Sequence, residues 1–123
     1  MTSIIRFLTL AALVVGSLSI TALARTSTVI PDSDAPLHIG QNATVEGVVV
    51  AVSTSNKRNT FINFGAVYPN QTFTGWIPAG THLASDRSIQ SLQGKRIKIT
   101  GLIERYRGKP EIRILSRDQI SED

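Results

Sequence analysis

Two long runs rich in β-branched residues, each broken once by a glycine, constrain this chain more than anything else in it. The first is Ala43-Thr44-Val45-Glu46-Gly47-Val48-Val49-Val50-Ala51-Val52-Ser53 and the second is Lys95-Arg96-Ile97-Lys98-Ile99-Thr100-Gly101-Leu102-Ile103-Glu104-Arg105-Tyr106. Such residues pack well on a pleated surface, and an interior glycine marks a bulge or bend. A strand this long that bends midway can serve two sheet layers in turn. Between the two lie shorter runs, Thr60-Phe61-Ile62-Asn63-Phe64 and Thr72 to Ile77, and after them comes Glu111-Ile112-Arg113-Ile114-Leu115. Polar turns separate the runs at Ser55–Asn59, Tyr68-Pro69-Asn70 and Arg107-Gly108-Lys109-Pro110. Pro110, with no N–H to donate, suits the fifth strand to an edge.

Pro78 and Gly80 stop the third strand. In the segment that follows, Ile89 and Leu92 are three apart, Ser85 can cap and Gly94 can terminate, which predicts a short helix between strands three and four. Three strands, a short helix and a two-stranded hairpin, with bends in the first and fourth strands, is the order of an all-β, five-stranded OB-fold barrel. A β-sandwich would need about seven strands.

The ends of the chain read differently. Arg6 precedes the apolar run Phe7 to Gly16, and a small-x-small close follows at Ala22-Leu23-Ala24. That order predicts a secretory signal peptide over residues 1–24, an exported product in the periplasm or outside the cell, and no membrane span after cleavage. Kept uncut, the same segment would be an anchor. Residues 25–41, with Pro31, Asp32, Asp34 and Pro36 and no sustained period, read as an N-terminal tether or a strap lying on the domain. The domain proper is assigned to 42–120 and a tail to 121–123.

Charge is unevenly spread. Arg25 to Asp86 is net −1, whereas Arg87 to Arg117 holds nine bases against Glu104 and Glu111, net +7. A face that concentrates positive charge suits a polyanion, and a solvated strand surface decorated for solubility produces the same count. The absence of Cys excludes a disulfide scaffold, a Cys-ligated zinc site and a cysteine nucleophile. His38 and His82 are far apart with no carboxylate beside either, and Asp32 with Asp34 reads as tether chemistry. No phosphate loop, nucleophile elbow or metalloprotease motif occurs, so the expectation is a binding module rather than an enzyme, with no cofactor and no metal.

Asn42 to Ile120 resembles the small bacterial OB-fold domains found in exported proteins and beside secreted nuclease modules. The stretches that carry the resemblance are Thr60 to Gly65, Tyr68-Pro69-Asn70-Gln71-Thr72-Phe73-Thr74, Gly94-Lys95, Thr100-Gly101 and Tyr106 to Ile112. The resemblance implies a nucleic-acid-binding-like fold; no nuclease module accompanies it here. OB-folds bind along strands two and three, flanked by the loops joining strands one to two and four to five. Those loops hold Lys57, Arg58, Arg107 and Lys109, and Phe61, Asn63, Trp76, Lys98, Arg105 and Tyr106 complete the candidate nucleic-acid-binding set. Alternation sets Phe61 with Asn63 outside and Ile62 with Phe64 inside. Trp76 reads as either a half-buried lid or a stacking platform, and Tyr68 as a turn-packing residue. The ligand expected is single-stranded or irregular nucleic acid bound with little sequence preference. The alternative is a protein partner or an anionic cell-surface polymer. A hydrolase would have to depend on His82 or Asp86.

Overall fold

The computed structural model describes residues 28–123, so the signal peptide expected over residues 1–24 lies outside the described residues. Within them the strands are β1 (Val29–Pro31), β2 (Asn42–Thr54), β3 (Thr60–Phe64), β4 (Phe73–Ile77), β5 (Arg96–Tyr106), β6 (Lys109–Arg113) and β7 (Ile120–Glu122). β2 pairs antiparallel with β3, β3 with β4, β4 parallel with β6, and β6 antiparallel with β5. β5 returns antiparallel to β2 and closes a five-stranded ring. This is the OB-fold barrel.

Both glycine-broken strands change partners at the break. β2 pairs with β5 from Asn42 to Val48 and with β3 from Val49 onward. β5 pairs with β2 through Leu102 and with β6 from Ile103 onward. Gly47 is needed for space: a Cβ there would lie 2.5 Å from Asp32 Oδ1 and 2.8 Å from Phe64 Cδ2. The barrel is filled by Val45, Val49, Ile62, Phe64, Phe73, Ile77, Ile97, Ile99, Ile103, Ile112 and Ile114, all fully buried. Phe64 and Phe73 meet edge to face at 5.2 Å, a geometry the ring quadrupoles favour.

Seven strands occur among the described residues, rather than five. The extra two do not make a sandwich, because each is a three-residue strand on the rim of the same sheet: β1 runs parallel to β2, and β7 antiparallel to β5. Residues 29–38 therefore form a strap, not a free tether. Ile30 and Ala35 are buried, and Asp32 accepts a hydrogen bond from the Thr72 hydroxyl. The expected 121–123 tail is likewise held, since Ser121 and Glu122 belong to β7. A 3-10 turn (Leu83–Ser85) and the one-turn helix α1 (Arg87–Gln90) connect β4 to β5 and bury Leu83 and Ile89. The cap of α1 is Asp86, not Ser85: Asp86 Oδ1 accepts from the Ser88 N–H at 2.8 Å, while Ser85 Oγ donates to the His82 carbonyl. Ser88's N–H, then its hydroxyl, hold the Asp86 carboxyl below its usual range.

β6 is not an edge strand. It lies between β4 and β5, and Pro110 is tolerated because pairing with β4 begins one residue later, at Glu111. Among the described residues no helix is long and apolar enough to cross a membrane.

Candidate nucleic-acid interface

Strand register decides what the outer surface of the β3–β4–β6 sheet presents. Side chains alternate between faces along each strand, and partners directly opposite point the same way. One row across the sheet is Ser53, Phe61, Trp76 and Arg113; the next is Ala51, Asn63, Thr74, Glu111 and Glu104. The first row puts two rings and a guanidinium in line. Arg113 Cζ stands 5.2 Å from the centroid of the Trp76 ring, a cation–π contact. Phe61 and Trp76 are half-buried, each leaving part of its ring at the surface, and the Trp76 indole N–H is buried and unpartnered among the described residues.

The second row is polar and forms the floor of a groove of about 310 Å³. Thr74 donates to Asn63 Oδ1 at 2.9 Å, and Asn63 is 4% exposed, deeper than alternation alone implies. Its cover comes from the rims. Ser53 to Ser55 form one side, and Tyr68, Tyr106 and Arg107 the other. Tyr68 is not a turn-packing residue: it is 62% exposed and stands at the groove mouth, and its peptide to Pro69 is cis. Tyr106 is 51% exposed, with Arg107 Cζ 5.2 Å from its centroid. The Tyr68 hydroxyl, and after it Tyr106, raise the Arg107 pKa further above its ordinary value. Arg107 and Gly108 form a two-residue hairpin turn with φ of 51° and 79°. That is the primed geometry matching strand twist, and it holds a non-glycine residue in the left-handed region.

Glu111 is the acidic element of the floor. It stands directly opposite Glu104, and half-burial first, then Glu104, push its pKa up to about 7, with Arg113 opposing. Gln71, 5% exposed, lines the same groove, and its Oε1 has no hydrogen-bond partner among the described residues. Its backbone carbonyl accepts from Lys109 Nζ at 3.1 Å, which fixes the loop between β3 and β4.

The expected site residues thus divide. Phe61, Asn63, Tyr106 and Arg107 line the groove, Trp76 lies in the adjacent row, and Lys109 borders a neighbouring depression. Lys98 is not brought there. It faces Glu46 and Asp123, its ammonium at 3.9 and 3.2 Å from their carboxylates. Arg105 sits opposite Pro110, one position out of phase with Glu104 and Tyr106, and so falls on the other face. Arg58, with φ of 67°, lines a separate depression with His82, and Lys57 is exposed at the tip of the turn without lining the groove. Gln71, Thr74, Glu111 and Arg113 were missing from the candidate set. The alternation of Lys109-Pro110-Glu111-Ile112-Arg113 could have paired Glu111 with Arg113 on one face, but only the parallel β4–β6 register puts them beside Thr74 and Trp76.

The four ion pairs among the described residues lie around β2, β5 and β7 and the residues that flank β5 and β7: Lys95–Glu122, Lys98–Glu46, Lys98–Asp123 and Arg117–Glu122. Arg107, Lys109 and Arg113, on the groove side, are in none of them. Among the described residues no three His, Asp or Glu side chains come together in a metal-binding group.

No protein-family profile matches this sequence, and no curated protein does. Solved structures share its fold. A chain assigned as an aspartyl-tRNA synthetase from Leishmania major Friedlin superposes with a TM-score of 0.50 at 9% identity, over 87% of this chain and 22% of its own length. This chain therefore spans about a fifth of that protein. An OBody, AM1L10, bound to hen egg-white lysozyme gives 0.56 at 16% identity, covering 83% of this chain and 98% of its own, and a second, AM2EP06, gives 0.52 at 15%. At these identities the likeness establishes the OB-like barrel and nothing finer.

Proposed function

We propose that this chain is an exported, non-catalytic OB-fold module that binds single-stranded or irregular nucleic acid across the β3–β4–β6 face. The observation that carries the reading is the row Phe61, Trp76, Arg113, which puts stacking surface and positive charge in line on the face OB-folds use. The concentration of ion pairs on the opposite side of β5 adds to it, because it leaves Arg107, Lys109 and Arg113 available to phosphates. The carboxylates of Glu104 and Glu111 repel a phosphate, so the strand's backbone must pass along the cations while bases cover the second row. Stacking contributes about 1–3 kcal/mol per base and tolerates any base. Export is supported by the apolar run of Phe7 to Gly16 and its small-x-small close. The resemblance to domains beside secreted nuclease modules supports the compartment and the ligand together.

Fluorescence anisotropy with a labelled thymidine 11-mer tests it. Three phosphate contacts predict that affinity falls by about a hundredfold for a tenfold rise in salt, since the slope for single strands is about −0.7 per contact. Phe61→Ala and Arg113→Ala should each weaken binding. No binding at low salt, or binding that ignores salt, refutes it.

The second reading is a protein or anionic-polymer partner at the same face. It is favoured by the OBody neighbour, a similar barrel bound to a protein. Capture of a partner from envelope extract that survives nuclease treatment would select it.

A further inference from the structure

The floor of the groove is rich in hydrogen-bond acceptors, and that is unusual for a surface meant to meet phosphates. Glu111 offers two carboxylate oxygens, and Asn63 Oδ1 is already satisfied by Thr74. Gln71 Oε1 is a buried acceptor with no hydrogen-bond partner among the described residues, a state that favours a ligand able to donate to it. The rings of Phe61, Tyr68 and Tyr106 line the same groove. The groove is of a size suited to a small planar ligand. Resting on the reading of this face as a nucleic-acid interface, we infer that the groove is a base pocket that selects a nucleobase donating from its Watson–Crick edge, guanine above all.

The chemistry follows from the edges of the bases. Guanine carries a ring N–H and an exocyclic amino group side by side, both donors, so a carboxylate can accept from the two in parallel. The second amino hydrogen remains for an amide oxygen such as Gln71 Oε1. Cytosine and adenine offer one donor group each beside ring acceptors. Thymine and uracil turn two carbonyl oxygens toward the pocket around a single N–H, and those oxygens face the carboxylate unfavourably. Charge-assisted, paired hydrogen bonds of this kind are the ones that discriminate. Sequence tolerance along the Phe61–Trp76 row is unaffected, because the selection applies at one base position only.

The groups facing Glu111 are Glu104 and Tyr106 from β5, Lys109 and Arg113 on its own strand, Thr74 from β4, and Tyr68 and Arg107 at the rim. Of the charged ones, Glu104 opposes ionisation of Glu111 and Arg113 favours it. Protonating Glu111 would replace one acceptor by a donor and should erase the selection.

The test is competition by a thymidine 11-mer against the same strand with a single central dG, dC or dA, at about pH 8. The dG strand should bind about tenfold tighter than the all-thymidine strand, with dC and dA between them. Glu111→Gln, nearly isosteric, should bind the thymidine strand more tightly, through loss of a negative charge, and lose the dG preference. At about pH 5.5 the wild type should show the same loss. Equal affinity for all four strands, with binding intact, overturns the base pocket and leaves the nucleic-acid reading standing. Binding of none of them overturns both, as does capture of a hexa-arginine peptide in the absence of any oligonucleotide binding.

Discussion

Replacing Glu111 by Gln should stabilise the domain at alkaline pH and leave it unchanged in acid. The folded protein holds this carboxyl at about 7, against an ordinary value of 4.5, because half-burial and the facing Glu104 penalise its charged form. Two and a half units at about 1.4 kcal/mol each set a ceiling of about 3.5 kcal/mol. Half the side chain remains in water, and screening reduces the figure to about 1–1.5 kcal/mol. The sign is set by proton linkage. Between 4.5 and about 7 the native state binds the proton that the unfolded chain releases, so the stability contributed by neutral Glu111 is fully present below 4.5. It is lost as pH rises through 7. A domain of this size shifts its Tm by about 4–8 °C per kcal/mol. Thermal melts at about pH 4 and about pH 8.5 should therefore show no difference between the proteins in acid and a gain of about 5–10 °C for the variant in alkali. An equal gain at both pH values would mean that charge is not the cause, and a lower Tm for the variant at pH 8.5 would refute the reasoning outright.

Other perturbations test other parts of the structure. Gly47→Ala forces a methyl against Asp32 and Phe64 and should cost about 1–3 kcal/mol, with faster amide exchange in residues 29–38 as the strap lifts. Phe64→Ala empties the centre of the barrel and removes its contact with Phe73, which should cost about 3–5 kcal/mol in a urea titration. Arg107→Gly relieves a left-handed residue at the hairpin tip, so its Tm should hold or rise while its salt slope for oligonucleotide binding falls by about 0.7. A drop in Tm there would refute the relief of strain.

The candidate site was only partly legible in the sequence, and particular residues show why. Phe61 and Asn63 could be placed outside because alternation within β3 is local and has a fixed period. Lys98 and Arg105 could not, because whether a cation meets an acid or a groove depends on the neighbouring strand. For Lys98 those neighbours are Glu46 on β2 and Asp123 beyond β7. Tyr68 looked like a packing residue beside a proline, yet the loop that carries it is anchored by Lys109, which is 41 residues away along the chain and adjacent in space. Pro110 pointed to an edge because the missing N–H is a local fact, whereas the residue at which a parallel partner begins to pair is not.

The sequence by itself determined the five barrel strands and their succession along the chain, the bends at Gly47 and Gly101 and the inward faces, because these follow from side-chain periodicity and backbone sterics within each segment. Tertiary structure decided which polar side chains share a surface. A parallel β4–β6 pairing puts Arg113 on Trp76 and Glu111 beside Thr74, and the closure of β5 onto β2 carries Lys98 to the other side. Strand register between segments distant in the chain is fixed only when the core closes, and the character of the groove is set by that register.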